Sequence, residues 1–232
     1  MYPVGMTNRH LLGLIAASTF TFLPGCGSGT EEAGMDAPPT ELKAVVSTDR
    51  GEFTIRLRPD LTPVAVANFV NLVESGFYHG SEVANANSAS FSAGIPKSRT
   101  PNYTIVPEYT TELLFDRPGI VAWTFMDDPE LVANFVPHPT RFFVTKSPQP
   151  NWNLTYPSFG EVVDGIDVAG LTQKGDWIKS IRIVGDSKAA LAPHQARIAT
   201  WNAALEDVRK PFENKGAAGA IPLPEGAQPA GF

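Results

Sequence analysis

Val45-Val-Ser-Thr-Asp-Arg-Gly-Glu-Phe-Thr-Ile-Arg-Leu57 is the stretch that decides the fold class. Ala44, Val45 and Val46 form a short apolar arm, and Thr48-Asp-Arg-Gly51 supplies turn chemistry. Phe53, Ile55 and Leu57 then alternate with Thr54, Arg56 and Arg58, the period of a half-buried strand. Two arms about one turn predict a β-hairpin. Immediately downstream the period changes: Val66, Phe69, Val70 and Val73 recur at helical spacing. Thr62 is the expected N-cap, Pro63 fits the first helical position and Gly76 fits a left-handed stop, so this helix should cover one end of a sheet.

Further strands are predicted at Gly119–Thr124, Arg141–Thr145, Ser158–Val163 and Ile178–Val184, with a short helix at Ile166–Thr172. Many short strands with two helices predict a mainly β fold: a closed, chiefly antiparallel sheet capped at its ends. This barrel domain is expected over residues 42–186. Ile198, Trp201, Leu205 and Val208 then follow helical spacing, predicting an appended C-terminal helix over 187–210 that packs on the domain. Acidic and basic residues mix on its polar side, which favours core cover over a membrane-surface role. The Gly/Ala/Pro-rich residues 211–232 should form a disordered tail.

At the amino terminus, Arg9 and His10 precede an apolar run from Leu11 to Leu23, as in a secretory signal peptide over residues 1–25. The run is shorter than the roughly 20 residues of a membrane span. It ends at Cys26, the one cysteine of the chain, so an internal disulfide and a multi-cysteine metal site are both excluded. Leu23-Pro-Gly-Cys26 resembles a bacterial lipobox, which implies lipidation of Cys26, export, and attachment to a membrane of the cell envelope. The alternative is a plain signal peptide with an incidental cysteine. Residues 26–41 contain many Gly and Pro and should act as a flexible tether holding the domain roughly 20 Å from the lipid. A net charge of −6 disfavours nucleic acid and anionic lipid as electrostatic partners.

Five segments carry a family resemblance: Gly76-Phe-Tyr-His-Gly80, Tyr103-Thr-Ile105, Arg117-Pro-Gly-Ile-Val121, Arg141-Phe-Phe-Val144 and Phe159-Gly-Glu-Val-Val-Asp-Gly-Ile-Asp-Val168. Their types and order resemble a cyclophilin from about Leu42 to Asp186. The resemblance implies a closed antiparallel barrel, prolyl isomerase activity, proline-containing polypeptides as partners and a monomer, with no metal or other cofactor. Amide resonance sets a barrier of roughly 18–20 kcal/mol to X–Pro rotation. The family lowers it with an apolar socket for the proline ring and an arginine that donates to the prolyl nitrogen as it pyramidalises.

Transferred residue by residue, the resemblance keeps the socket in part and loses the donor. Phe143 falls at the socket floor, Trp152 near the rim tryptophan, Tyr156 near a position held by histidine or tyrosine, and Phe91 at a groove phenylalanine or methionine. Asn85 stands at the arginine and Ala84 at the histidine before it. Thr124-Phe125-Met126 replaces the backbone rail Ala-Asn-Ala, placing Phe125 along the substrate path. Arg141 replaces a groove glutamine. By strand alternation it shares a face with Phe143, so its guanidinium either serves the prolyl nitrogen or pairs with an acidic insertion carrying Asp127, Asp128 and Glu130. That insertion lacks calcium-loop spacing and reads as a solvated loop. Phe143 itself reads equally as pocket floor and as core packing. His79, His138 and His194 lack metal spacing and read as surface or turn residues. Two functions follow: a lipid-anchored isomerase assisting the folding of exported proteins, weakened by Asn85, or a cyclophilin-like binding or scaffold module without useful catalysis.

Overall fold

The structure, a computed structural model, describes residues 41–94 and 101–213. The expected signal peptide, Cys26, the tether up to residue 40 and residues 214–232 lie outside the described residues. In chain order the elements are β1 (Lys43–Thr48), β2 (Gly51–Leu57), α1 (Pro63–Glu74), β3 (Ser81–Ala86), β4 (Ser90–Ala93), β5 (Ile120–Phe125), α2 (Pro129–Ala133), β6 (Pro137–Thr145), β7 (Ser158–Asp164), α3 (Ile166–Leu171), β8 (Trp177–Val184), α4 (Ser187–Leu191) and α5 (Gln195–Glu213). The strands close into a barrel in the order β1-β2-β7-β5-β6-β4-β3-β8, with every neighbouring pair antiparallel.

The β1–β2 hairpin has the predicted register: Val46 opposes Phe53 and Thr48 opposes Gly51. Gly51 takes a positive φ of 126°, which only glycine adopts freely. Ala44, Val46, Phe53, Ile55 and Leu57 all point inward and are buried. Within a mainly aliphatic interior sits a cluster of aromatic rings. Phe69 of α1 meets Phe142 at 5.5 Å and Phe159 at 5.2 Å, and Trp123 stacks on Phe159 at 4.8 Å.

Every residue of α1 from Val64 to Val73 is buried, as expected of a helix that covers the barrel and is itself covered. Ile198, Trp201 and Leu205 of α5 are buried in the same core, and Trp201 stacks on Tyr103 at 6.0 Å. The side chain of Val208 lies outside the described part. The C-terminal region is two helices joined by a short 3-10 turn instead of one, and α5 continues to Glu213, past the expected end at 210.

Three local expectations are corrected. Thr62 holds the N-cap position of α1 as expected, but its side chain makes no capping bond, because its buried hydroxyl turns back to donate to the Arg58 carbonyl at 3.4 Å. The Glu108 carboxylate takes the free amides of Val64 (3.2 Å) and Ala65 (2.9 Å) instead, where a negative charge also complements the helix dipole. The acidic insertion is not simply a loop: Asp128 accepts from the amides of Glu130 and Leu131 and starts α2 at Pro129. His138 is fully buried within β6, where a surface or turn position was expected; His194 does end a short 3-10 turn, though it too is largely buried.

Candidate active site

Strand β6 builds the site by alternation. Phe142 enters the barrel, whereas Phe143 projects from the outer wall. The register carries one outward row across the sheet: Asn85 opposes Ser92, Ser92 opposes Phe143, and Phe143 opposes Ala122. Asn85 therefore shares a face with Phe143, two strand spacings away, roughly 10 Å between backbones. Asn85 is exposed, while Phe143 is only 4% exposed.

Aromatic side chains surround Phe143. Phe115 stacks on it at 5.9 Å, and Trp152 and Tyr156 meet it edge-on at 5.5 and 5.1 Å. Tyr156 in turn stacks on Phe125 at 4.5 Å. Hydrogen bonds hold these loops together: Gln149 N–H donates to the Phe115 carbonyl and Phe115 N–H to the Asn153 side-chain Oδ1, both at 2.7 Å. The structure thus gathers Phe143, Trp152, Tyr156 and Phe125 in one place. It adds Phe115, which the sequence reading did not single out because residues 106–118 carry neither helical nor strand periodicity.

Phe91 is a correction. Its pairing with Val144 sets it in the inward register, where it is buried and meets Phe53 at 6.1 Å. Ser92 is the β4 residue that faces outward beside Phe143. Phe91 therefore belongs to the core and not to the groove.

Arg141 is 8% exposed, and its Nη2 donates to Asp127 Oδ2 at 2.6 Å and to the Phe125 carbonyl at 3.4 Å. Of the two roles open in the sequence, pairing with the acidic insertion is the one present. Gly94 lets β4 pass close by: a Cβ there would lie 2.5 Å from the Thr140 carbonyl oxygen and 2.9 Å from Arg141 Cα. Behind Arg141, the Nδ1 atom of His138 accepts from the amides of Thr140 and Arg141, both at 3.2 Å, so Nε2 carries the proton. Burial, reinforced by the positive charge of Arg141 and opposed by Asp127, lowers the His138 pKa to about 3. The imidazole is thus neutral and serves the backbone. Among the described residues, no group of three or more His, Cys, Asp or Glu side chains is placed to hold a metal ion.

The closed antiparallel eight-strand barrel matches known proteins. The family described as "Cyclophilin type peptidyl-prolyl cis-trans isomerase/CLD" matches residues 43–186. The chain belongs to this cyclophilin-type family. Peptidyl-prolyl cis-trans isomerase B of Bacillus subtilis is 28% identical over 141 residues, covering 59% of this chain and 94% of that protein. Peptidyl-prolyl cis-trans isomerase A of Mycobacterium tuberculosis is 29% identical over 150 residues, covering 56% of this chain and 78% of that protein. A crystal structure of a cyclophilin-type isomerase from Cryptosporidium parvum superposes with a TM-score of 0.53 at 23% identity, covering 63% of this chain and 99% of that one. The last likeness concerns the fold alone. Asn85 lies on the outer row that contains Phe143.

Proposed function

We propose that the chain is an exported prolyl isomerase of low turnover, acting on proline-containing polypeptides of the cell envelope as a lipid-anchored monomer. The observation that carries this reading is the shared outward row: an aromatic socket floored by Phe143 and, across Ser92, a neutral amide at Asn85. Phe143, Trp152 and Tyr156 grip the proline ring, and the Asn85 side-chain amide donates to the pyramidalising nitrogen. Hydrogen bonds from charged donors contribute roughly 1.5–3 kcal/mol against 0.5–1.5 for neutral ones. A transition-state deficit of about 1.4–3 kcal/mol slows turnover on the order of 10- to 100-fold relative to arginine-bearing cyclophilins.

The pairing of Arg141 with Asp127 favours a second reading, a proline-peptide-binding module without useful catalysis, because no other cation on this row replaces the lost donor. Exchange NMR on a blocked Ala-Ala-Pro-Ala peptide separates the two. Slow but saturable exchange supports the isomerase; binding with no line broadening between cis and trans signals supports the module. Attachment rests on the motif ending at Cys26, where two or more acyl chains, at about 0.8 kcal/mol per buried methylene, hold a protein stably. Cys26→Ser should move the protein from the membrane fraction to the soluble one, or block its maturation. An unmodified cysteine in a fully soluble wild-type protein contradicts the anchor.

A further inference from the structure

Helix α2 ends in a stop that ordinarily holds glycine. The amide of Phe135 bonds to the Val132 carbonyl at 3.0 Å and that of Val136 to the Leu131 carbonyl at 2.9 Å, the paired bonds of a left-handed helix terminus. The residue at its turning point is Phe135, with φ 54° and 50% of its surface exposed. A second case lies on the turn between Trp152 and Tyr156, where Leu154 has φ 53° and is 53% exposed. Among the described residues these are the two non-glycine residues with positive φ. Glycine or asparagine would take this backbone with less strain. Burial does not account for the choice, since half of each side chain remains in water. Strain held at exposed positions beside a groove is a feature of binding surfaces.

The Phe135 ring is continuous with the socket. It meets Phe125 edge-on at 5.5 Å; Phe125 stacks on Tyr156, and Tyr156 meets Phe143. An unbroken aromatic path thus runs from the buried floor to an exposed rim. Val132, also exposed, extends the apolar surface on the same insertion. From this geometry we infer that Phe135 and Leu154 determine specificity, forming a subsite for a large apolar or aromatic side chain that flanks the proline of a bound polypeptide. Asp128, which caps α2, and Glu130 within it are both exposed and disfavour an acidic residue there. The inference rests on the groove being a prolyl-peptide site.

The test titrates the full chain with blocked Ala-Phe-Pro-Ala, Ala-Pro-Phe-Ala and Ala-Ala-Pro-Ala, read by NMR shifts, with thermal unfolding measured in parallel. The wild-type chain should favour a phenylalanine-containing peptide by on the order of tenfold. Phe135→Gly and Leu154→Gly relieve the backbone strain, so each should unfold at the same temperature or higher while reducing that preference severalfold. Equal wild-type affinities for all three peptides overturn the inference and leave the prolyl reading intact. So does a preference that survives both glycine variants. A fall in unfolding temperature with all three peptides weakened equally also overturns it, because the side chains are then structural. If none of the three peptides binds, the prolyl reading fails and the inference fails with it.

Discussion

Phe142 and Phe143 are adjacent and chemically identical, yet they belong to different aromatic clusters. Phe142 joins Phe69, Tyr78, Trp123 and Phe159 inside the barrel, where strands and α1 close off every side. Phe143 joins Phe115, Trp152, Tyr156 and Phe125 on the outer wall, where most partners come from loops and the rim at Phe135 stands in water. The same residue type therefore packs into the barrel interior on one side of a strand and into a second aromatic cluster on the outer wall on the other. Both rings are buried, Phe142 at 0% and Phe143 at 4% exposure; what separates the clusters is that the second is bordered by the half-buried Trp152 and Tyr156 of a loop.

Mutating each side should separate the two most strongly. Phe142→Ala leaves a cavity in a closed core and should cost about 3–5 kcal/mol in denaturant unfolding. Phe125→Ala, at the half-buried rim, should cost only about 1 kcal/mol while weakening proline-peptide binding. Similar stability losses from the two would erase the distinction.

The wall between the clusters can be tested by pH. His138 has a lowered native pKa of about 3 against an ordinary value near 6.5. The unfolded chain thus takes up a proton below pH 6.5 that the native chain refuses. Its stabilising contribution is complete above that pH and declines as pH falls toward 3, by about 2 kcal/mol between pH 6.5 and 5. His138→Gln should flatten this slope in stability measured against pH; an unchanged slope would mean that the imidazole is not dry.

The smallest expected effect concerns the joint between the layers. Glu108, on the segment that also carries Phe115, caps the interior helix α1. Glu108→Ala should cost about 1 kcal/mol. A loss several times larger would show that the outer segment supports the barrel itself.

The hairpin, α1 and the strands from β5 onward were legible because apolar residues recur at clear periods of 2 or 3.6. Strands β3 and β4 were not, since Ser81–Ala86 and Ser90–Ala93 are rich in Ser, Ala and Asn and owe their pairing to their neighbours. Phe91 was misplaced for the same reason: only the register with Val144 fixes which way it points. Helix α2 did leave a local signal in Asp128-Pro129, an N-cap followed by proline, which the acidic residues around it masked. Thr62 carried the right signal for a cap, but tertiary contact gave the task to Glu108. Alternation put Phe143 on one face with Arg141, but whether that face was pocket or core came only from the register of β6 with β4 and β5. The Arg141–Asp127 pair was one of two open readings, because one-dimensional spacing cannot say which way a long side chain turns.

We propose that an aromatic socket persists on a barrel face whose donor position holds the neutral amide of Asn85. Isomerisation rates for the wild type, Asn85→Arg and Arg141→Gln, measured by exchange NMR on one blocked proline peptide, test it most directly. Asn85→Arg should raise turnover on the order of 10- to 100-fold, whereas Arg141→Gln should leave the residual rate intact. No gain from Asn85→Arg would contradict the claim, as would family-like turnover in the wild type that Arg141→Gln abolishes.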